Sequence, residues 1–129
     1  MSKDDIDIFG SRMKEYEGCE AKRMLMPLLP ALARLDGKCF SGFTKGLDRP
    51  YDIRMSNLMV ETTSALVEET NALIGYTQSD EITLVMYNNS QKSQIYYNGR
   101  IQKMIGDLAA YATGVFNRLL PNYIPEKIW

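Results

Sequence analysis

An α+β fold of the ferredoxin-like type is predicted, in the order β-α-β-β-α with a helix in front and the last strand lacking. Two long segments repeat apolar residues every three or four positions, as amphipathic helices do. Three short segments have strand character and are separated by glycine, proline, serine and aspartate. The length of 129 residues is near the usual size of one domain, so one hydrophobic core is expected.

Residues 1–30 are predicted to form an N-terminal helix and an irregular lead-in, and residues 31–129 are predicted to form the main domain. Ser11 is the expected cap of a helix over residues 12–17, and Gly18 is expected just beyond its end. Pro27 and Pro30 forbid a continuing helix and favour extended chain before the first strand.

The first strand is predicted over residues 31–36 and is halted by Gly37. Its period of two places Arg34 and Asp36 on one face and Ala33 and Leu35 on the other. A glycine- and proline-punctuated loop follows over residues 39–50. A helix is then predicted from about residue 51 to 71, because seven residues form one stripe: Met55, Leu58, Met59, Thr62, Ala65, Leu66 and Leu73.

Two further strands, over residues 73–78 and 82–87, are predicted around a tight turn at Ser79 and Asp80. A second helix is predicted over residues 99–120, ended by Pro121 and Pro125. Its stripe contains Ile101, Met104, Ile105, Leu108, Ala112, Val115, Phe116 and Leu119. With no strand after this helix, the edge of the first strand needs a cover from another chain, or the sequence is a fragment.

Composition excludes several kinds of site. The sequence has no histidine and two cysteines, which excludes a Cys/His zinc site and any histidine base. No apolar run approaches the roughly 20 residues of a membrane span, and no secretion signal is present, so a cytoplasmic protein with reduced thiols is expected. The net charge of −1 means that any RNA contact must come from a local basic patch.

Carboxylates are predicted to meet at one end of the sheet. In this fold the first and third strands are antiparallel neighbours, so Asp36 should lie near Asp80 and Glu81. Carboxylates so placed repel each other unless a cation lies between them, and oxygen ligands favour Mg²⁺ or Mn²⁺. The Gly37 carbonyl can add a ligand, and two ions would activate a hydroxyl and hold a triphosphate. The plainer interpretation is that both motifs are ordinary polar turns.

Basic residues supply candidate phosphate contacts. Arg100 and Lys103 follow one another at the start of the second helix, with Asp107 one turn further on. The simpler interpretation is a solvated face with a Lys103–Asp107 ion pair, and the functional one is phosphate binding by Arg100 and Lys103. The same alternatives apply to candidate RNA contacts elsewhere: Lys22, Arg23, Lys45 and Arg49.

These motifs resemble those of the tRNA-His guanylyltransferase family, polymerases that extend RNA in the 3′-to-5′ direction. Arg-Leu-Asp-Gly-Lys-Cys-Phe at residues 34–40, with Phe43 following, is similar to the family's R-x-D-G-R/K-x-F-x-x-F motif. Gly-Tyr-Thr-Gln-Ser-Asp-Glu at residues 75–81 resembles its signature hairpin. The resemblance covers about residues 9–125 and includes Arg-Pro-Tyr-Asp at residues 49–52.

The resemblance implies that residues 31–129 form a catalytic domain of the polymerase palm type. It implies a Mg²⁺-dependent nucleotidyltransferase that activates the 5′ end of tRNA with ATP. The 3′-hydroxyl of GTP or another nucleoside triphosphate then attacks that end and releases AMP. Family members are typically tetramers, and the relatives resembling this chain repair truncated tRNA 5′ ends.

The family's functional residues carry over by motif position. Asp36, the Gly37 carbonyl and Asp80 would hold two Mg²⁺ ions, or Mn²⁺ in their place, and Glu81 would support catalysis. Ten positions would bind nucleotide: Asp36, Gly37, Lys38, Cys39, Phe40, Ser41, Ser79, Asp80, Arg100 and Lys103. Three would contact RNA: Arg34, Lys45 and Arg49.

The sequence departs from the family after its second helix. Family members continue into another strand and a helical region with an H-I-N-N-type motif used in binding and activation, and this sequence contains no histidine. A fragment of a longer enzyme is therefore expected, with little or no nucleotide addition by the isolated chain. Two alternatives stay open: another palm-type nucleotidyltransferase or cyclase, and an inactive module that binds nucleotide or RNA.

Overall fold

The computed structural model describes residues 2–90 and 92–128, which form an α+β fold. Three strands are present in this part of the chain: β1 (Ala31–Asp36), β2 (Ile74–Gln78) and β3 (Glu81–Met86). The helices are α1 (Lys3–Ala21), the single turn α2 (Phe40–Phe43), α3 (Ile53–Thr70) and α4 (Ile101–Tyr123). Short 3₁₀ helices cover Tyr96–Gly99 and Pro125–Lys127. The predicted order β-α-β-β-α behind an N-terminal helix is confirmed.

The strands form one antiparallel sheet in the order β1-β3-β2. Asp36 and Gln78 both lie opposite Glu81, one from each neighbouring strand. The prediction that the first and third strands are antiparallel neighbours is therefore confirmed. Strand β1 pairs with β3 alone within residues 2–90 and 92–128, so its other edge is open.

The hydrophobic core lies between one face of the sheet and helices α3 and α4. Strand β3 directs Ile82, Leu84 and Met86 into it, as its alternating sequence requires. Leu58 and Leu66 of α3 are fully buried against this layer. Full burial of one such leucine contributes about 1.5–3 kcal/mol, so this face holds the sheet and both long helices together.

The opposite face of the sheet carries no helix in the described ranges. Leu32, Ile74 and Tyr76 expose more than half of their surface there, while the polar residues of the strands gather toward Asp36 and Gln78. None of the helices among these residues is both long and apolar enough to span a bilayer.

Two sequence-based helix boundaries were wrong. Helix α1 begins at Ser2, not Ser11, because Ser2 and Asp5 form a reciprocal capping box, and the helix then continues through Gly10 and Gly18 to Ala21. Helix α4 does not end at Pro121, since a proline in the last turn removes only one backbone bond there. The Ile124 amide still donates to the Leu120 carbonyl at 2.9 Å.

Two members of the predicted apolar stripes are exposed rather than buried. Leu73 lies beyond the end of α3 and is 62 % exposed, and Ile105 of α4 is 64 % exposed toward the open edge of β1. The loop predicted over residues 39–50 contains the one-turn helix α2.

Asp52 fixes the beginning of α3. Its carboxylate, only 2 % exposed, accepts hydrogen bonds from the Arg54 amide at 2.9 Å and from the Arg54 guanidinium at 3.1 Å. Arg54 also contacts Glu126, which ties the C-terminal segment to α3. The Arg54 guanidinium is the main reason that the pKa of Asp52 lies well below its usual range.

Asp52→Asn is expected to lower the thermal midpoint by several degrees at pH 7. Because the folded-state pKa is depressed, the stability that the ionised carboxylate contributes is present above the unfolded pKa of about 3.9 and is lost as the pH falls below it. The midpoints of wild type and variant, measured by circular dichroism, should therefore converge toward pH 2–3. A constant difference at every pH would contradict this role of the charge.

Candidate active site

Three acidic residues lie together at one end of the sheet. Asp36 is the last residue of β1 and faces Glu81, the first residue of β3. The Gly37 amide donates to the Asp80 carbonyl at 3.0 Å, which fixes the end of β1 beside the β2–β3 turn. The turn itself is tight, with Ser79 in the left-handed region at φ 55°. Residues far apart in the chain are thus held side by side by one antiparallel ladder.

The three acidic side chains have different partners. Arg34 pairs with Glu81 across the two strands, so the charge of Glu81 is already balanced. For Asp36 and Asp80, no side-chain hydrogen bond or ion pair occurs within residues 2–90 and 92–128. Both line the same cavity and are available to a ligand.

The donors at this end of the sheet fit a hard divalent cation. Asp36 and Asp80 supply carboxylates, and Gly37, whose amide donates to the Asp80 carbonyl, adds a backbone carbonyl next to Asp36. No group of three or more acidic or cysteine side chains is arranged as a metal cage in the described residues. Mg²⁺ characteristically takes one or two carboxylates and completes its shell with water and phosphate oxygens, so this sparse set suits it.

Phe40 holds the segment after Asp36 in place. Its ring packs against Phe43 of α2 and Phe116 of α4, with centroid distances of 5.2 and 5.5 Å. A Cβ atom at Gly37 would lie 2.3 Å from a ring carbon of Phe40. Glycine is therefore required at residue 37 so that the aromatic ring can cover the backbone beside the carboxylates.

Gly37→Ala is expected to weaken nucleotide binding and to lower stability by about 1–3 kcal/mol, since Phe40 must leave its aromatic neighbours. Gly42→Ala, five residues further on, is the control because a Cβ there meets nothing within 4 Å. Thermal unfolding and GTP titration of both variants check this. Equal behaviour of the two would show that the contact between Gly37 and Phe40 is unimportant.

A cavity of about 800 Å³ opens from the carboxylates along the free edge of β1. Its polar end contains Arg34, Asp36, Gly37, Lys38 and Asp80. The rest is largely apolar and lies between β1 and α4, whose Thr113 and Asn117 add polar groups. Cavities of this size hold nucleotide-sized ligands. The sequence did not indicate Thr113 and Asn117, because no periodic or motif signal distinguishes them from other polar residues of α4.

The structure places the other predicted site residues in two groups. Cys39 and Ser41 follow Lys38 in the exposed segment around α2, and Lys45 and Arg49 lie in the loop after it. The Lys45 carbonyl accepts a hydrogen bond from Lys127 at 2.8 Å. This whole segment adjoins the carboxylate end of the sheet.

Arg100 and Lys103 lie at the other end. The Leu25 amide donates to the Gly99 carbonyl at 2.8 Å, so the start of α4 adjoins the lead-in to β1. About 24 Å of helix separates Arg100 from Phe116, which packs against Phe40 beside the carboxylates. Neither cation lines the cavity at Asp36 and Asp80, although that cavity extends to Ile101 and Met104 beside them. Lys22 and Arg23 lie near the same far end, where Arg23 pairs with Glu20.

A protein-family model described as tRNAHis guanylyltransferase matches residues 10–128. The chain is 37 % identical over 115 residues to an uncharacterized protein of Acanthamoeba polyphaga mimivirus, R259, covering 84 % of this chain and 39 % of that protein. It is 32 % identical over 107 residues to the tRNA(His) guanylyltransferase of Schizosaccharomyces pombe, covering 81 % of this chain and 38 % of the yeast protein.

Solved structures show the same fold. A bacterial tRNA(His) guanylyltransferase-like protein in complex with GTP superposes with a TM-score of 0.85 at 31 % identity, over 93 % of this chain and 58 % of that one. A bacterial tRNA(His) guanylyltransferase-like protein in complex with ATP superposes with a TM-score of 0.86, also at 31 % identity. This match covers 93 % of this chain and 53 % of the other. The tRNA(His) guanylyltransferase of Saccharomyces cerevisiae shares the fold, with 22 % identity and a TM-score of 0.71. This match covers 81 % of this chain and 45 % of the yeast chain.

The chain thus spans less than two thirds of the length of these relatives. Within that span the match of the family model extends from before β1 to the end of α4 and includes the Asp36 and Asp80 motifs. This chain belongs to the tRNA(His) guanylyltransferase family.

Proposed function

We propose that this chain is the catalytic part of a Mg²⁺-dependent nucleotidyltransferase that adds nucleotides to the 5′ end of tRNA in the 3′-to-5′ direction. The observation that supports it most is the meeting of two unpaired carboxylates, Asp36 and Asp80, in one cavity. Two negative groups that a backbone ladder brings to one cavity favour a bound cation. Membership of the guanylyltransferase family supports the reaction class.

Asp36, Asp80 and the Gly37 carbonyl would hold the metal, which supplies charge neutralisation for a bound triphosphate and lowers the pKa of an attacking hydroxyl. The chain's other residues position the groups around the carboxylates. Phe40 and its aromatic neighbours keep the segment after Gly37 against the carboxylates, and Lys38 lines the cavity as a phosphate contact. Arg34 holds Glu81 in place beside the metal ligands.

The nucleotide is proposed to lie along the segments 36–41 and 79–80. Bacterial relatives with 31 % identity form complexes with GTP and with ATP, which supports both as ligands of this chain. Cys39, Ser41 and Ser79 are exposed at this end and offer backbone amides and hydroxyls to phosphate oxygens. ATP would serve the activation of the 5′ end, and GTP or another nucleoside triphosphate would be added.

Arg100 and Lys103 are proposed to bind a different phosphate. They lie at the start of α4, about 24 Å of helix from Phe116, and the cavity that contains Asp36 and Asp80 extends to their neighbours Ile101 and Met104. A phosphate of the RNA or of a second nucleotide fits their position. Arg34, Lys45 and Arg49, at the carboxylate end, are proposed to contact RNA near its reacting 5′ end.

For the whole protein we propose tRNA as partner, a tetrameric assembly and a place in the cytoplasm. These relatives are longer than this chain, so the addition of nucleotides to tRNA is proposed for a protein of the relatives' full length. The alternative of an inactive module that binds nucleotide or RNA shares the same cavity. Retention of Asp36, Asp80 and Glu81 together favours the enzyme, because a binding module needs no pair of unpaired carboxylates.

Titration calorimetry of this chain with GTP tests the site. Binding is expected with Mg²⁺, is expected to weaken at least tenfold in EDTA, and is expected to return with Mn²⁺. Asp80→Asn should reduce the affinity in Mg²⁺ to the level seen in EDTA. An affinity for GTP that is unchanged both in EDTA and in the Asp80→Asn variant would refute the proposed metal–nucleotide site.

A further inference from the structure

Arg34 and Glu81 form an ion pair across β1 and β3, on the face of the sheet that α3 and α4 do not cover. Their side chains are 63 % and 39 % exposed. Ion pairs this open to water contribute little and shift an equilibrium by no more than about fivefold. Either member can therefore leave this pair for a stronger partner at small cost.

Arg34 belongs both to this ion pair and to the cavity at the carboxylates. It lines the cavity together with Asp36 and Asp80, whereas Glu81 does not line it. A guanidinium can form two parallel hydrogen bonds with a phosphate, and hydrogen bonds between charged groups are about twice as strong as neutral ones. A terminal phosphate monoester carries about −1.5 to −2 charges at pH 7, against one on a carboxylate. A phosphate monoester in the cavity therefore competes with Glu81 for Arg34.

Glu81 is placed to act on the metal site once it loses Arg34. It lies directly opposite Asp36 in the ladder and follows Asp80 in the chain. Opposite residues of an antiparallel pair share a face, with Cβ atoms about 4.5–5.5 Å apart. Without Arg34, Glu81 would be a third carboxylate with no cation to balance it, and like charges this close repel each other unless a cation lies among them. Release of Glu81 therefore favours binding of a divalent cation.

We propose that Arg34 couples RNA binding to metal binding. The 5′-phosphate of the RNA takes Arg34 from Glu81, and the freed carboxylate strengthens the metal site of Asp36 and Asp80. This inference rests on the proposed function and adds how the RNA 5′ end controls the same site. Because coupling between two ligands is reciprocal, the metal in turn raises the affinity for the 5′-phosphate. The metal site is then complete only when the RNA end is in place, which limits idle hydrolysis of the triphosphate.

Binding of Mn²⁺ to the 129-residue chain, followed by the electron paramagnetic resonance of the free ion, tests the step at Glu81. Arg34→Gln frees Glu81 and should tighten Mn²⁺ binding at least fivefold. Lys38→Gln removes an equal charge from the same cavity and is the control for repulsion between cations. In a Glu81→Gln background, Arg34→Gln should give no more than the small gain of Lys38→Gln, because no carboxylate is freed.

Two results of the Mn²⁺ titrations would overturn the proposal. The first is an equal gain from Arg34→Gln and Lys38→Gln in the wild-type background, since charge alone would then explain it. The second is a gain from Arg34→Gln that is unchanged by Glu81→Gln, since the effect would then not pass through Glu81.

An NMR titration in EDTA with a 5′-phosphorylated RNA trinucleotide tests the step at Arg34, since no metal then bridges phosphate and protein. Glu81→Gln leaves Arg34 without its carboxylate and should bind this RNA at least threefold more tightly than the wild type. Arg34→Gln should bind it more weakly. Asp80→Asn removes an equal negative charge but frees no arginine, so it is the control for repulsion. The same RNA with a 5′-hydroxyl should bind the wild type and Glu81→Gln equally.

Equal gains from Glu81→Gln and Asp80→Asn would overturn the proposal, as would a gain that persists with the 5′-hydroxyl RNA. Tighter binding of GTP to Glu81→Gln than to the wild type, without such a gain for the RNA, would also overturn it, because Arg34 would then serve the incoming nucleotide. All these results leave the metal–nucleotide site standing. Absence of Mn²⁺ binding by the wild-type chain would instead refute that site, and with it both the proposed function and this inference.

Discussion

Asp36→Ala and Asp80→Ala are each expected to abolish nucleotide addition to a 5′-truncated, 5′-phosphorylated tRNA in the presence of Mg²⁺ and ATP. A metal that stabilises developing charge contributes several kcal/mol, and each 1.4 kcal/mol changes the rate tenfold. Loss of either carboxylate should therefore reduce the rate by at least about 10²–10³. The two aspartates line one cavity, so the double variant should be no worse than the poorer single variant.

The assay needs a chain of the relatives' full length. A chimera in which residues 1–128 are followed by the remaining segment of the bacterial relative provides one. Glu68→Ala, an exposed carboxylate on α3 away from the cavity, is the matched control and should retain full activity. Undiminished addition by either aspartate variant would refute the metal assignment, provided that its thermal midpoint equals that of the wild type.

The second large effect concerns the open edge of β1. The isolated 129-residue chain is expected to bind GTP but to add nucleotides at least about a hundredfold more slowly than the chimera. Within the described residues the cavity is open along the unpaired edge of β1, and poorly held reactants lose orientation at large cost in rate. Single-turnover addition, measured for both proteins at equal GTP saturation, separates this effect from binding.

Addition by the isolated chain at the rate of the chimera would show that the three-stranded sheet is sufficient. Added in trans, the same segment of the bacterial relative should restore activity to the isolated chain if it completes the site. A mixture that stays inactive while the covalent chimera is active would mean that the two parts require a covalent link.

The carboxylate end of the sheet was predictable because it depends on local rules. The turn at Ser79 and Asp80 and the alternation of β3 are determined by neighbouring residues, and the fold class alone makes β1 and β3 antiparallel neighbours. Together they place Asp36 beside the hairpin. The pairing of Arg34 with Glu81 follows from the same register, but only after that register is known.

Other features depend on contacts that a sequence pattern does not contain. The position of Arg100 depends on the direction in which α4 crosses the sheet, which the packing of Phe116 on Phe40 determines. The predicted bounds of α1, Ser11 and Gly18, were wrong because the capping box of Ser2 and Asp5 starts the helix earlier and the helix continues through Gly18. Periodicity also cannot distinguish an uncovered side chain from a buried one, so Ile105 belongs to the predicted stripe although it faces the open edge.

An anomalous-diffraction measurement on crystals of this chain grown with Mn²⁺ and GTP tests the central claim most directly. A manganese peak is expected within about 2.0–2.4 Å of carboxylate oxygens of both Asp36 and Asp80, with the GTP triphosphate completing its coordination. A metal bound elsewhere, or two carboxylates that point apart so that no ion can touch both, would contradict it.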